Sequence, residues 1–289
     1  MFESIERSWN LAKESLGVIR KDPELMIFPI VSFIACVVAF GTIGVLGFFT
    51  DSFGGDNTVS ALGIVLIFLF YFVTYFVTIY FQVALVASVK LRLAGGNPTL
   101  GYGIGEANKR LGAIASWAVI AAIVGLILRM LEGAARRNRG IGGIVAQIAI
   151  GLVGMAWSLA TFFVIPIIAY EGVGGFEAIK RSVGVIKRRW GEAVVGQAGI
   201  GLIMWGLAIL VGAVFGIIGI LLLTSGGTVG TVIGVAFISV AVLGVLSIVV
   251  LAATLQSVYT AALYEYATKG QAPGIFSQNA LDSAFKPKH

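Results

Sequence analysis

The sequence predicts an all-α, polytopic membrane protein, in which six transmembrane helices and several interfacial amphipathic helices form one integral membrane domain over residues 1–289. The chain is 58% apolar and 12% charged, and its mean hydropathy is +0.99. A soluble domain carries about 25% charged residues, so the solvent for this much apolar surface must be a bilayer. Six apolar runs also approach or exceed the length of about 20 residues that crosses a bilayer core.

Charge-free runs define the six spans. They cover residues 25–50, 57–89, 111–128, 140–170, 193–223 and 228–264. The last two spans come from one charge-free stretch, which the Thr-Ser-Gly-Gly turn at 224–227 divides. Pro29 and Pro166 are candidate kinks, because a proline inside a helix removes a backbone hydrogen bond.

Two segments outside the spans have the spacing of amphipathic helices. Apolar residues recur every three or four positions, with charged residues opposite them, in Phe2, Ile5, Trp9, Ala12 and Leu16, and again in Phe176, Ile179, Val183, Ile186 and Trp190. When 2–17 is laid over 176–191, seven of sixteen positions are identical, and a weaker copy begins at Ile104. We therefore predict three units, 1–94, 95–171 and 172–267, each an amphipathic helix followed by two spans, and a tail at 268–289.

The distribution of basic residues predicts the orientation. With six crossings, 16 of the 20 Lys and Arg residues fall on the side that holds both termini. Because basic loops stay in the cytoplasm, we expect a multi-pass protein of the cell (inner, cytoplasmic) membrane with both termini cytoplasmic. Two basic clusters are candidate contacts for lipid head groups or subunits: Arg136, Arg137 and Arg139 outside, and Lys187, Arg188 and Arg189 inside. Since the membrane bias accounts for the net charge of +6, we expect no nucleic-acid partner.

The side chains of most catalytic and metal sites are scarce in this sequence. The chain has one cysteine, Cys36, and one histidine, His289, and every aspartate lies outside the spans. No Gly-Lys pair of a phosphate-binding loop occurs. We therefore expect no enzymatic activity, no catalytic residues, no cofactor and no metal site.

A few polar residues are candidates for a polar path through the membrane. They are Gln82, Gln147, Gln197 and Gln256 within four spans, and Glu171 and Glu265 at the ends of the fourth and sixth spans. Each glutamine is alone in its span, so interhelical hydrogen bonding is the simpler interpretation. The glutamates occupy equivalent positions of the repeat, either as interfacial carboxylates beside tyrosines or as proton-coupling groups. A water-lined cavity that reaches the glutamines would favour transport.

Three segments of the chain carry a family resemblance. They are FESIERSWNLAKESLGVIRKDPELMIFPIVS at the start, FFVIPIIAYEGVGGFEAIKRSVGVIKRRWGEAVVG from Phe162, and VYTAALYEYATKGQAPGIFSQNALDSAFKPKH at the end. Together they resemble an uncharacterised family, a domain of unknown function, of archaeal and bacterial six-span membrane proteins. They are also distantly similar to the membrane portion of some glycerophosphodiester phosphodiesterases. The resemblance implies the six-span architecture and no activity, since the phosphodiesterase catalytic domain is absent.

These observations favour a non-enzymatic function. We expect an oligomeric scaffold or membrane-organising assembly with membrane lipids and further copies of the chain as partners. The alternative is a channel or transporter, for which apolar or lipid-like cargo fits the apolar spans best. Small-residue motifs at Gly212 and Gly216, and at Gly230 and Gly234, allow helices to approach closely, within one chain or between chains.

Overall fold

Helices form nearly all of the structure, a computed structural model that describes residues 2–50, 60–137, 140–188, 193–274 and 276–278, with the side chains of 2–11, 188 and 193–200 excepted. The helices are α1 Phe2–Lys21, α2 Ile27–Phe49, α3 Ala61–Leu93, α4 Leu100–Asn108, α5 Leu111–Arg137, α6 Ile141–Ala160, α7 Val164–Glu171, α8 Gly175–Arg188, α9 Ala193–Thr224 and α10 Thr228–Lys269. A 3₁₀ turn, Pro23–Met26, precedes α2, and no strand occurs in these ranges. Six helices, with α6 and α7 taken as one, are long and apolar enough to cross a membrane, which confirms the all-α polytopic bundle.

The third span is longer than the sequence predicted. We expected it to end at 128 and a loop to follow, but α5 continues through Arg137. The charged residues after 128 include Arg129, Glu132 and Arg136, and both residue types are good helix formers. The end of the apolar run therefore did not end the helix.

The two candidate kinks behave differently. The fourth span breaks between α6 and α7, because Pro166 cannot donate a hydrogen bond to the carbonyl of Phe162. At this break, the backbone N–H of Phe163 donates to Oγ of the buried Ser182 of α8, at 3.1 Å. Pro29 lies in the first turn of α2, where a missing N–H costs little, so it begins a helix and does not bend one.

The three helices that precede the hairpins, α1, α4 and α8, pack against neighbouring hairpins of the bundle. An even number of crossings separates them, so they share one side, here called the basal side. α4 packs mainly on α3, the second helix of the hairpin before it, and α8 packs on α5, α6 and α7. α1 packs on α9 and α10, which closes the ring. The weaker copy of the amphipathic pattern is split, because a turn at Lys109 and Arg110 separates α4 from α5.

The packed core lies at the basal end of the bundle. Seven consecutive residues of α3, from Val83 to Val89, are buried there, and so are Ile167 and Ile168 of α7. Towards the opposite ends, apolar side chains face outward, as in Phe48 and Ile141, which are 81% and 82% exposed. A bilayer covers such surfaces without cost.

The first part of the tail folds back onto its own chain. Phe276 is 5% exposed within the core cluster. Oγ of Ser277 donates to Oε1 of Glu14 in α1 at 2.7 Å. The tail residues Leu281 and Phe285 lie outside the described residues.

Glycines bring α9 and α10 into backbone contact within the chain. A Cβ atom added to Gly234 would lie 2.8 Å from the carbonyl oxygen of Gly219, and one added to Gly230 would lie 2.9 Å from that of Leu222. Around Gly216 no atom would lie within 4 Å of an added Cβ. The motif at Gly230 and Gly234 thus serves packing within the chain.

We expect Gly234→Ala to lower the free energy of unfolding by about 1–3 kcal/mol, because the methyl group meets backbone that cannot yield. Equilibrium unfolding in mixed micelles measures the change. The matched control is Gly216→Ala in the facing helix, which should be neutral or slightly stabilising. Equal effects of both substitutions would contradict the packing described here.

Candidate functional site

The basal ends of three spans meet in one polar cluster. It contains Lys90 of α3, Tyr170 and Glu171 of α7, and Tyr264 and Glu265 of α10, and we call it the basal junction. One span of each hairpin contributes to it. Both α7 and α10 carry a Tyr-Glu pair there, as the predicted repeat places them.

The two Tyr-Glu pairs are crossed. The hydroxyl of Tyr170 donates to Oε2 of Glu265 at 3.2 Å, and the hydroxyl of Tyr264 donates to Oε1 of Glu171. The two rings pack edge to face with their centroids 5.3 Å apart. Glu265 is 7% exposed and Tyr264 is 3% exposed, whereas Tyr170 is partly buried and the side chain of Glu171 is 29% exposed. Two side-chain hydrogen bonds therefore join the basal ends of α7 and α10.

Cations surround these carboxylates. Lys269 pairs with Glu265, Arg181 of α8 pairs with Glu171, and the Lys90 ammonium lies 4.6 Å from the ring centroid of Tyr170. Nε of Arg181 also donates to Glu177 at 2.9 Å, which lowers the pKa of that carboxyl below its usual value. The junction thus binds α8 as well as the three spans.

A groove of about 630 Å³ lies between α2, α3, α7 and α10, and we call it the membrane groove. Most of its lining is apolar, and none of the described residues that line it is charged. Its polar residues are Ser32, Cys36, Thr78, Gln82, Ser247, Gln256, Ser257 and Thr260. Chemically, such a surface suits a long apolar molecule with a small polar part.

The basal junction lies at one end of this groove. Val86 and Thr260 line the groove, and Lys90 and Tyr264 of the junction follow them by four residues. The same spacing separates Pro166 from Tyr170 on α7. Four residues are about one helical turn, or about 6 Å, on a similar face of the helix. The junction therefore lies directly above the basal end of the groove.

The structure places the candidate polar path only in part. Gln82 and Gln256 both line the groove, and Glu171 and Glu265 lie together in the junction above it. Gln147 is exposed on α6 and does not line the groove. The side chain of Gln197 lies outside the described residues.

The described side chains of the two basic clusters do not line the groove. Arg136 and Arg137 are exposed at the end of α5, and Lys187 is exposed near the end of α8. Arg188 belongs to α8, but its side chain lies outside the described residues, as do Arg139 and Arg189 altogether. Their contacts with head groups or subunits stay predictions.

Sequence reasoning missed an ion pair at the basal side. Asp22, which precedes the 3₁₀ turn, accepts two hydrogen bonds from the guanidinium of Arg92 near the end of α3. Their side chains are 7% and 20% exposed, and Arg92 also donates to Asn97 at 2.6 Å. Sequence reasoning also missed Lys90 and the role of the two tyrosines. The repeated Tyr-Glu pair was the signal for the tyrosines, whereas no pattern marked Asp22, Lys90 or Arg92.

Within the described residues, no group of three or more His, Cys, Asp or Glu side chains is placed to hold a metal ion.

Most of the sequence matches the model of a known protein family. The model of a family of unknown function, DUF6159, matches residues 61–274, about three quarters of the chain, so the chain belongs to this family. No curated protein matches the sequence.

Proposed function

We propose that this member of the DUF6159 family is a non-enzymatic transporter of lipid-like molecules, which enter the membrane groove from the bilayer. The observation that supports the proposal is the groove itself, an apolar cavity between four helices that contains two of the glutamines singled out from the sequence. The feature expected of a transporter was a water-lined cavity that reaches the glutamines. This groove reaches two of them, but its lining is mostly apolar, so it supports lipid-like cargo and not a water-filled path.

Lipid-like cargo fits the groove better than ions or sugars. Of the 23 residues that line the groove, 15 are apolar and the other eight are uncharged polar residues. Ions and sugars need more charges or hydrogen-bonding groups along their path. Residues that line the groove, such as Phe33 and Val249, are also 50% and 53% exposed on the membrane-facing part of the protein.

The crossed contacts of the basal junction favour a state in which the groove exchanges ligand with the membrane. Because Tyr170 and Tyr264 pack together above the groove, a ligand reaches it from the bilayer side and not from the basal side. Movement of cargo to the basal side would require the crossed Tyr-Glu contacts to separate.

The remaining sequence predictions belong to this proposal. We expect the protein to lie in the cell membrane with its basal side in the cytoplasm, and to self-associate. Contacts of lipid head groups with the two basic clusters, and a scaffold role for an assembly of chains, stay predictions. The distant similarity to the membrane portion of glycerophosphodiester phosphodiesterases also stays a prediction.

A lipid-movement assay tests the transport function. We expect the purified chain in phosphatidylcholine vesicles to accelerate the passage of a fluorescent lipid between leaflets, followed by quenching of the outer leaflet. Ala253→Trp should return the rate to that of empty vesicles, because Ala253 lines the groove and the indole fills it.

The matched control is Ala149→Trp, since Ala149 is exposed on α6 and does not line the groove. This variant should keep the rate of the unsubstituted chain. No acceleration by the unsubstituted chain would contradict transport and favour the scaffold. An equal loss in both variants would contradict passage through the groove.

A further inference from the structure

We infer that the cargo of the membrane groove carries an uncharged hydrogen-bonding group on a long apolar chain, and that this group binds the side-chain amides of Gln82 and Gln256. The inference rests on the proposed function and specifies the chemical class of its substrate: a neutral lipid with a hydroxyl or ester group.

The two amides stand at the same depth. Gln82 precedes Lys90 by eight residues on α3, and Gln256 precedes Glu265 by nine residues on α10. At 1.5 Å per residue, both glutamines lie about 12–14 Å below the charged basal junction. The two glutamines therefore lie at similar depths on two different helices, where Gln82 is exposed and Gln256 is partly buried.

Within the described residues, most of the other polar groups of the groove have a hydrogen-bond partner, whereas the two amides and the hydroxyl of Ser32 have none. The hydroxyl of Ser257 donates to the carbonyl of Ala253 at 2.9 Å, and that of Thr260 donates to the carbonyl of Gln256 at 2.7 Å. For the side chains of Gln82 and Gln256, the described part of the chain supplies no hydrogen bond. An unpaired amide is costly in a hydrocarbon environment, so a ligand that pairs with it is favoured.

The polar group of the ligand must be uncharged. No described residue of the lining carries a charge. In the junction above, Lys269 pairs with Glu265, and Lys90 lies over the ring of Tyr170, about two helical turns from Gln82. A phosphate or carboxylate would lose its hydration in the groove without gaining a counter-ion. A hydroxyl or ester oxygen, in contrast, matches the NH₂ donor of a glutamine amide, and a hydroxyl also matches its carbonyl acceptor.

Competition among three probes of equal chain length tests this inference. A photoreactive hexadecyl probe labels the full-length protein in phosphatidylcholine nanodiscs, and hexadecanol, hexadecane or hexadecyl phosphate competes with it. We expect hexadecanol to compete about tenfold more strongly than hexadecane, because it adds hydrogen bonds to the amides. Hexadecyl phosphate should compete more weakly than hexadecanol.

Leucine variants locate the effect. Gln82→Leu and Gln256→Leu should each reduce the preference for hexadecanol, and the double variant should abolish it. Competition by hexadecane should be unchanged, which shows that the variants keep the groove. Gln147→Leu on α6 is the control and should keep the full preference.

The outcomes separate the inference from the proposed function. If hexadecanol and hexadecane compete equally with the unsubstituted protein, the inference fails while a lipid-binding groove stands. Strongest competition by hexadecyl phosphate also overturns it. If none of the three displaces the probe, or if labelling falls outside the groove, the proposed function itself fails.

Discussion

Arg92→Met should lower the free energy of unfolding by about 3 kcal/mol, the largest loss that we expect from a single substitution in this chain. The methionine fills much of the space of the arginine stem but leaves the carboxylate of Asp22, 7% exposed, without its cation. Asp22 precedes the first span and Arg92 ends the second, so the pair joins the basal ends of the first hairpin. Equilibrium unfolding in mixed micelles gives the loss.

Lys109→Met is the matched control. Lys109 pairs with Glu106 at 2.5 Å, but its side chain is 71% exposed, and Glu106 keeps its second cation, Arg110, at 2.7 Å. We expect a change below about 1 kcal/mol. Adding Asp22→Asn to Arg92→Met should recover part of the loss, because the stranded charge is removed. A loss in Arg92→Met no greater than that in Lys109→Met would show that the pair does not stabilise the bundle.

The double substitution Tyr170→Phe and Tyr264→Phe should open the basal end of the membrane groove. It deletes both crossed hydroxyl donors, and each hydrogen bond to a carboxylate contributes about 1.5–3 kcal/mol. The rings remain, so any change comes from the lost hydroxyls. The reporter is Thr260→Cys, in the groove, in a chain that also carries Cys36→Ala. We expect this cysteine to react with a water-soluble maleimide several-fold faster in the double tyrosine variant than in the chain with both tyrosines.

Tyr102→Phe provides the control for this experiment, because Tyr102 is exposed on α4 and is not one of the junction residues. It should leave the maleimide rate unchanged. Circular dichroism and thermal unfolding should show that the double variant keeps its helices. An unchanged rate in a folded double variant would mean that the crossed pairs do not close the groove.

The sequence alone determined the membrane class, the six spans and the amphipathic character of α1 and α8. These features follow from composition and helical periodicity, which are local properties of the chain. The repeat of the Tyr-Glu pair was also visible, and it pointed to Glu171 and Glu265 as equivalent positions. The predicted end of the third span, at 128, was wrong, because a helix can continue past the end of its apolar run.

Only the tertiary structure decided which of these features lie together. Gln82 and Gln256 share one groove while Gln147 faces outward, although all three look alike in the sequence. In a bilayer both the lipid-facing and the helix-facing surfaces of a span are apolar, so the apolar pattern of a span does not identify its neighbours. The crossed contacts of the basal junction, and the packing of α1 on α9 and α10, join residues that are far apart in the chain. They therefore depend on helix packing.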